Sequence, residues 1–243
     1  MQFLIPEWHG RLTSTNTVLL ERLRGGEGLA SGFVLATREQ TEGRGRYERK
    51  WVSAEGGNLA FSFLMRTRVG VPQVLSLPQA VALGVAEAVG EFGIEAWVKW
   101  PNDLLVGGRK ICGILAEREG EGLVVGVGVN VNMGREEAAG IDRPATSMMI
   151  ESGRAFAVEG LLERVLERLP VWIERWEKGG FAALREAWTA RCVGLGEEVE
   201  VGEARERLEG VLEGFGEAGQ LLLRQADGTV KEVWSGDVGL GEG

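Results

Sequence analysis

A single histidine, His9, near the N-terminus, argues against a Ser-His-Asp triad and against a histidine-rich metal centre. Two cysteines, Cys112 and Cys192, are too few for a disulfide framework or a cysteine metal site. No stretch reaches the roughly 20 consecutive apolar residues of a membrane span. The start, MQFLIPEWHGR, lacks the charged region and apolar run of a signal peptide. The expectation is a reduced, cytoplasmic protein that does not enter a membrane. Lysine is scarce as well: Lys50, Lys99, Lys110, Lys178 and Lys231 are all there are. With 27 basic against 36 acidic residues the net charge is −9, which disfavours non-specific nucleic-acid binding, because each phosphate contact asks for a Lys or Arg. Any local cluster of cations therefore stands out.

What is present suffices for a sizeable core: 44% of the 243 residues are hydrophobic, a length that fits one large domain or one large and one small. Thr13-Ser14-Thr15-Asn16 before Val18, Leu19, Leu20 and Leu23 predicts a helix N-cap and a helix, stopped at Gly25-Gly26. Strands are expected over 32–37, 58–66, 96–100 and 123–132, with a hairpin within 102–117 turning at Gly107-Gly108. Helices are expected over 76–92, about 158–177 and 181–191. After Arg191 come four short strand-like runs, 193–201, 208–215, 220–225 and 229–234, the spacing of a small all-β barrel or sandwich. This places a boundary near 190, giving regions 1–190 and 191–243, with residues 239–243 expected to fray.

Four islands carry chemistry. Gly43-Arg44-Gly45-Arg46-Tyr47-Glu48-Arg49-Lys50-Trp51 packs four cations and two aromatics into nine residues. Its glycines let backbone N–H groups face a ligand, and arginine forks suit carboxylate and phosphate. Taken alone it fits an anion trap and a solvated basic loop equally. Lys99-Trp100-Pro101-Asn102-Asp103 ends a strand with a cation, an amide and a carboxylate, though Asn-Asp also makes ordinary turns. Lys110 opens an apolar strand that holds Gly113, and a solvated hairpin lysine would look the same. Gly126-Val127-Gly128-Val129-Asn130 leaves part of one strand face bare, as a flat ligand needs; no third glycine or helix follows, so a dinucleotide fingerprint is rejected.

In this order and at these intervals the islands resemble the biotin protein ligase family. The matches are STN at 14–16, GRGRxxRxW at 43–51, KWPND at 99–103, KxxGIL followed by Glu117, GxGxN at 126–130 and ATS at 145–147, and they span essentially the whole chain. The resemblance implies an α+β fold, a class II synthetase-like mixed β-sheet with flanking helices plus a small C-terminal SH3-like β-barrel. It implies a two-step reaction: biotin and ATP form biotinyl-5′-AMP, and the biotin then passes to a lysine of a biotin carboxyl carrier protein. Mg²⁺ is expected with the phosphates, and no residue is assigned as its ligand. The resemblance puts Ser14, Thr15, Asn16, Gln40, Gly43, Arg44, Gly45, Arg46, Lys110 and Gly113 around biotin. It puts Arg46, Arg49, Trp51, Asn102, Gly128 and Asn130 around the adenylate. Lys110, Arg46 and Asp103 are the implied catalytic residues, Lys110 as a fixed cation between the reacting carboxylate and α-phosphate, and Asp103 handling either the incoming lysine or the metal.

Tyr47-Glu48 departs from the family, where a basic or glycine residue is common, and Cys112 replaces a small alanine. Only thirteen residues precede Ser14, too few for the winged helix of the family's repressors, so no DNA binding is expected. A homodimer is compatible with the resemblance. The rivals are a lipoate or octanoyl transferase, expected to lack GRGRxxRxW and KWPND, and a sensor that binds biotinyl-AMP without transferring it.

Overall fold

Strict alternation along residues 59–66, LAFSFLMR, sets the two faces of the main sheet. Leu59, Phe61, Phe63 and Met65 enter the large core, while Leu64 faces the opposite side. A computed structural model shows this arrangement for residues 1–52, 57–203 and 206–240, the residues it describes. In chain order the elements are β1 (Glu7–Leu12), α1 (Thr15–Arg24), β2 (Val34–Gln40), β3 (Leu59–Arg66), α2 (Leu77–Gly90), β4 (Trp97–Lys99), β5 (Asp103–Val106), β6 (Arg109–Glu119) and β7 (Gly122–Val129). They continue with α3 (Arg135–Ala139), α4 (Met148–Ser152), α5 (Val158–Gly179), α6 (Arg185–Thr189), β8 (Glu198–Glu203), β9 (Glu206–Phe215), β10 (Leu221–Arg224), β11 (Val230–Val233) and β12 (Asp237–Leu240).

The first seven strands form one mixed sheet in the order β1-β2-β3-β7-β6-β5-β4, in which β1 runs parallel to β2 and the other pairs are antiparallel. The α2 and α5 helices cover one face. Their apolar sides bury Leu83, Val85, Leu169, Ile173 and Trp176, and each large side chain removed from water contributes about 1.5–3 kcal/mol. Trp176 is fully enclosed and donates its indole N–H to Ser76 Oγ at 3.0 Å. On the other face α1 packs Leu19 and Leu20 against Leu64 and Val124. The α1 helix covers only part of that face, and the uncovered part is where the site lies.

The last five strands form an antiparallel sheet in the order β11-β10-β9-β8-β12. No ladder joins β11 to β12 among the described residues, so the sheet is open, and the closed barrel expected from the sequence is not formed by its strand pairing. Trp188 and Phe181 meet Phe215 edge to face and carry the core from the helices into this sheet. The segment after α6 runs beside β4, with Val98 N–H donating to Arg191 O and Val193 N–H to Val98 O.

The helix after Ser14, the Gly107-Gly108 hairpin (both at positive φ) and the helices over 76–92 and 158–177 are as expected. The second C-terminal helix is shorter than expected: a 3-10 turn, Gly180–Ala183, leads into α6. The β1 and β12 strands and the short α3 and α4 helices were not expected. Gly239 lies in β12, and residues 241–243 are outside the described residues. Gln73–Gly90 is long and apolar enough by composition to cross a membrane, but the α2 part of it is buried on nearly every side and serves as a core helix.

Gly84 marks a close approach of α2 to α5: a Cβ there would lie 2.9 Å from Leu169 Cδ2, 3.3 Å from Leu169 Cα and 3.4 Å from Trp172 Cδ1. A Cβ at Gly90, the last residue of α2, would meet nothing within 4 Å. Gly84→Val should cost about 2 kcal/mol or more through forced separation of the helices. Gly90→Ala should stabilise by up to about 1 kcal/mol through helix propensity. Urea unfolding of both variants checks the pair; equal effects would contradict the packing described.

Candidate functional site

The period of two puts small residues side by side on the uncovered face. Gly128 pairs with Gly113 of β6 on one side and Ala60 of β3 on the other, and Gly126 pairs with Leu115 and Ser62. Above this floor opens a cavity of about 630 Å³. Of the sixteen residues singled out from the sequence, fifteen line it: Ser14, Thr15, Asn16, Gln40, Arg44, Gly45, Arg46, Arg49, Trp51, Asn102, Asp103, Lys110, Gly113, Gly128 and Asn130. Gly43 does not. It sits behind the loop, where a Cβ would overlap Trp51 O, so it allows the hairpin to close and does not face the cavity.

One end of the cavity is a neutral polar network around the start of α1. Ser14 caps the helix, with its Oγ accepting from Thr17 N–H at 3.4 Å. Thr15 N–H donates to Gln40 Oε1 at 2.7 Å, and Thr15 Oγ1 lies 3.1 Å from the same oxygen. Ser62 Oγ sits 2.7 Å from Thr15 Oγ1 and 2.6 Å from Asn16 Oδ1. Asn16 Nδ2 donates to Leu115 O and, at 2.8 Å, to Glu117 Oε2. Its amide is thus engaged at both ends and anchors α1 to the sheet. Ser14, Thr15, Asn16 and Ser62 are almost fully buried, so they form a fixed wall with hydroxyl and amide groups at its surface.

The other end is cationic. Residues 43–51 form a tight hairpin, closed by Gly45 N–H to Arg49 O and Trp51 N–H to Gly43 O, with Arg46–Glu48 in a 3-10 turn at its tip. Each arginine is held. Arg44 donates to Glu117 Oε1 at 2.9 Å. Arg46 donates to Gly236 O at 3.2 Å, to Asn102 Oδ1 and to the Tyr47 hydroxyl. Arg49 pairs with Asp237. Asn102 is held in turn by its donation to Ile114 O at 2.6 Å. Lys110 Nζ lies 2.7 Å from Asp103 Oδ1, an ion pair without the alignment of a directed hydrogen bond. The strand that starts at Lys110 is strapped by residues 144–146: Lys110 N–H donates to Pro144 O, and Thr146 N–H to Lys110 O. The ATS motif serves this strap and, through Ser147, caps α4.

Trp51 lies across the glycine floor. A Cβ on Gly128 would overlap its indole, and one on Gly113 would come within 3.1 Å of it. The bare strip expected from the sequence is therefore covered by the chain's own ring. Besides Asp103 Oδ1, which meets Lys110 only as an ion pair, two buried polar atoms at the cavity make no hydrogen bond, the Trp51 indole N–H and Asn130 Oδ1. A ligand offering one acceptor and one donor would complete them. Asn130 Nδ2 is engaged by Thr146 O at 3.0 Å.

Sequence reasoning missed Ser62, Arg143 and Asp237. Arg143 and Asp237 line the cavity, and Arg143 donates to Asp237 Oδ2 at 3.0 Å. Arg143 stands two residues before the ATS motif, a signal that could have found it; Asp237 lies in the other sheet, and no local pattern marks it. Lys99, inside KWPND, is also largely buried. Burial pulls its ammonium below the lysine range, against the pull of Asp103 and Asp237. Cys112 is fully enclosed, and burial pushes its thiol far above the ordinary range; Cys192 is pushed up to about 12 by the same cause. In both settings the neutral thiol is favoured over the thiolate. Among the described residues, no group of three or more His, Cys, Asp or Glu side chains could hold a metal ion.

Burial alone would raise the Asp237 carboxyl, but hydrogen bonds from Arg49 and Arg143 outweigh it and hold the group below the usual carboxylate range. A lowered folded-state pKa stabilises above the unfolded value, near 3.9, and that contribution is lost as the pH falls through the folded value. Both arginines are partly exposed, so about 1 kcal/mol is expected after screening. Asp237→Asn should lower the unfolding midpoint at pH 6–7, and the gap to the parent should close below about pH 4. A gap that stays constant down to pH 2.5 would contradict the charge assignment.

Comparison with known proteins agrees with this geometry. Residues 8–133 match the biotin/lipoate A/B protein ligase family. The biotin--[acetyl-CoA-carboxylase] ligase of Paracoccus denitrificans is 33% identical over 224 residues, covering 88% of this chain and 92% of that protein. The bifunctional ligase/repressor BirA of Escherichia coli is 31% identical over 235 residues, covering 94% of this chain and 72% of that protein. The solved structure of the biotin protein ligase from Aquifex aeolicus in complex with biotin and ATP superposes with a TM-score of 0.84 at 31% identity, covering 98% of both chains. A fold shared over nearly its whole length, and a sequence match through all the motifs that build the cavity, make this chain a member of the biotin protein ligase family.

Proposed function

We propose that the chain activates biotin with ATP and transfers it to a lysine of a biotin carboxyl carrier protein. The observation that carries this reading is the cavity's division into a neutral hydrogen-bonding wall and a cationic end on one glycine floor. In the first step the biotin carboxylate attacks the α-phosphorus of ATP and pyrophosphate leaves. Two anions must approach each other, and an excess of positive charge held in place lowers that barrier without reorganisation at the moment of reaction. In the second step the carrier lysine's amine attacks the acyl carbon of biotinyl-AMP and AMP leaves.

The polar wall of Ser14, Thr15 and Gln40 suits the ureido ring, whose donors and acceptors these groups can answer. Lys110 and Arg46 suit the carboxylate and α-phosphate, and Arg49 the phosphates. The unsatisfied Trp51 N–H and Asn130 Oδ1 suit the adenylate. Asp103, beside Lys110, suits the incoming amine. Two of the cavity's three carboxylates, Asp103 and Asp237, are paired with cations, which suits a Mg²⁺ ion carried in by the triphosphate. Residues 191–243 are read as a small SH3-like support domain that reaches the ATP end of the cavity through Gly236 and Asp237.

With biotin, ATP and Mg²⁺ the chain should release pyrophosphate, and with a carrier domain it should label one lysine; release with lipoate but not with biotin would overturn the reading. Lys110→Ala should slow single-turnover biotinyl-AMP formation by roughly a hundred- to a thousand-fold, while biotin binding falls less. Lys110→Arg should recover only part of the rate, since a planar fork does not replace a compact ammonium. Near-normal adenylation by Lys110→Ala would remove the lysine from the chemistry.

A further inference from the structure

The arginine hairpin contains the one non-glycine residue with positive φ among the described residues, Tyr47, at φ 55° and ψ 44°. Glycine is the residue that takes this left-handed conformation without a steric penalty. A tyrosine held there calls for a reason in its side chain. The chain has no other tyrosine.

The ring supplies that reason. The Arg46 guanidinium lies over it, 4.7 Å from the centroid, and the Arg49 guanidinium lies 5.6 Å from the same centroid. Both are within the range of cation–π attraction. The hydroxyl also accepts a hydrogen bond of 2.6 Å from Arg46. Two guanidiniums three residues apart repel each other, and an aromatic ring attractive to both offsets that repulsion. The left-handed backbone turns the ring to where the residues before and after it can both reach it.

We propose that Tyr47 is a positioning residue: its ring is the shared platform that holds Arg46 and Arg49 side by side at the mouth of the cavity. The proposal rests on the reading of those arginines as carboxylate and phosphate contacts. Asn102, Gly236 and Asp237 also hold these arginines, Arg46 by the first two and Arg49 by the last, so each guanidinium is tied both to its own hairpin and to the body of the protein.

Two measurements on the full chain test it. Biosynthetic 3-fluorotyrosine places a single ¹⁹F label in the molecule. In the ligand-free protein its resonance should move in both Arg46→Met and Arg49→Met; a resonance that moves in neither would overturn the platform. The second measurement is single-turnover biotinyl-AMP formation at saturating ATP. Tyr47→Phe keeps the ring face and should stay within about threefold of the parent. Tyr47→Leu and Tyr47→Gly remove the face and should fall about tenfold, although glycine relieves the backbone. Parent-like rates in Tyr47→Gly would show that the position serves only the turn, and Phe falling as far as Leu would move the role from the ring to the hydroxyl. Should the parent itself form no biotinyl-AMP, the functional reading fails, while the fluorine measurement still decides whether the ring holds the arginines.

Discussion

Like-charge repulsion is the constraint on which this site is built. Arg44, Arg46, Arg49, Lys50, Lys110 and Arg143 all line one cavity, against three carboxylates, Asp103, Asp142 and Asp237. Two unit charges 4 Å apart near a protein surface interact by about 4 kcal/mol, so such a set would disperse unless each member were held. The holders come from separate strands: Asp103 from β5 beside Lys110, Glu117 from β6 beside Arg44, and Asp237 from β12 between Arg49 and Arg143. The partners leave the cavity positive in an acidic chain, and they fix where that charge stands.

The cations divide between a rigid and a looser support. Lys110 begins a central strand and is strapped by residues 144–146, so its backbone is fixed by the sheet. The arginines 44, 46 and 49 ride a hairpin tied down mostly by side chains. The neutral wall belongs to the rigid part: Thr15, Asn16 and Ser62 are almost fully buried and bonded to one another. The neutral wall and Lys110 are therefore preset by the sheet, whereas the three arginines sit where side chains can adjust.

What was legible in the sequence follows the same division. Motifs that bring their chemistry within a few residues, such as Gly43–Trp51 and Lys99–Asp103, could be read, because glycine, proline and clustered charge act locally. The strands with an apolar alternation were visible too. The β1 strand was not, since EWHGRL is an edge strand with no buried residue, and it carries no pattern to detect. The covering of Gly113 and Gly128 by Trp51 was hidden for another reason. Glycines on a strand announce that something approaches closely, without saying whether it is a ligand or the chain's own indole.

Asp237 shows why the remainder could not be read. Its hydrogen bond to Arg49 spans 188 residues, and the Gly236 bond to Arg46 spans 190. No composition or spacing rule links residues so far apart; only the packing of the second sheet on the first brings them together. That packing is apolar, through Trp188, Phe181 and Phe215, and polar, through Gly219 O, which accepts from both Gln79 and Trp100. The change in texture near residue 190 therefore marks a change in secondary structure, while the core and the cavity both run across it. The arginine hairpin lies in the first quarter of the chain and is pinned by a strand in its last tenth. The electrostatics of the cavity accordingly depend on the whole fold being in place, and a chain stopped at 190 would keep every family motif yet lose the carboxylate that holds two of its arginines together.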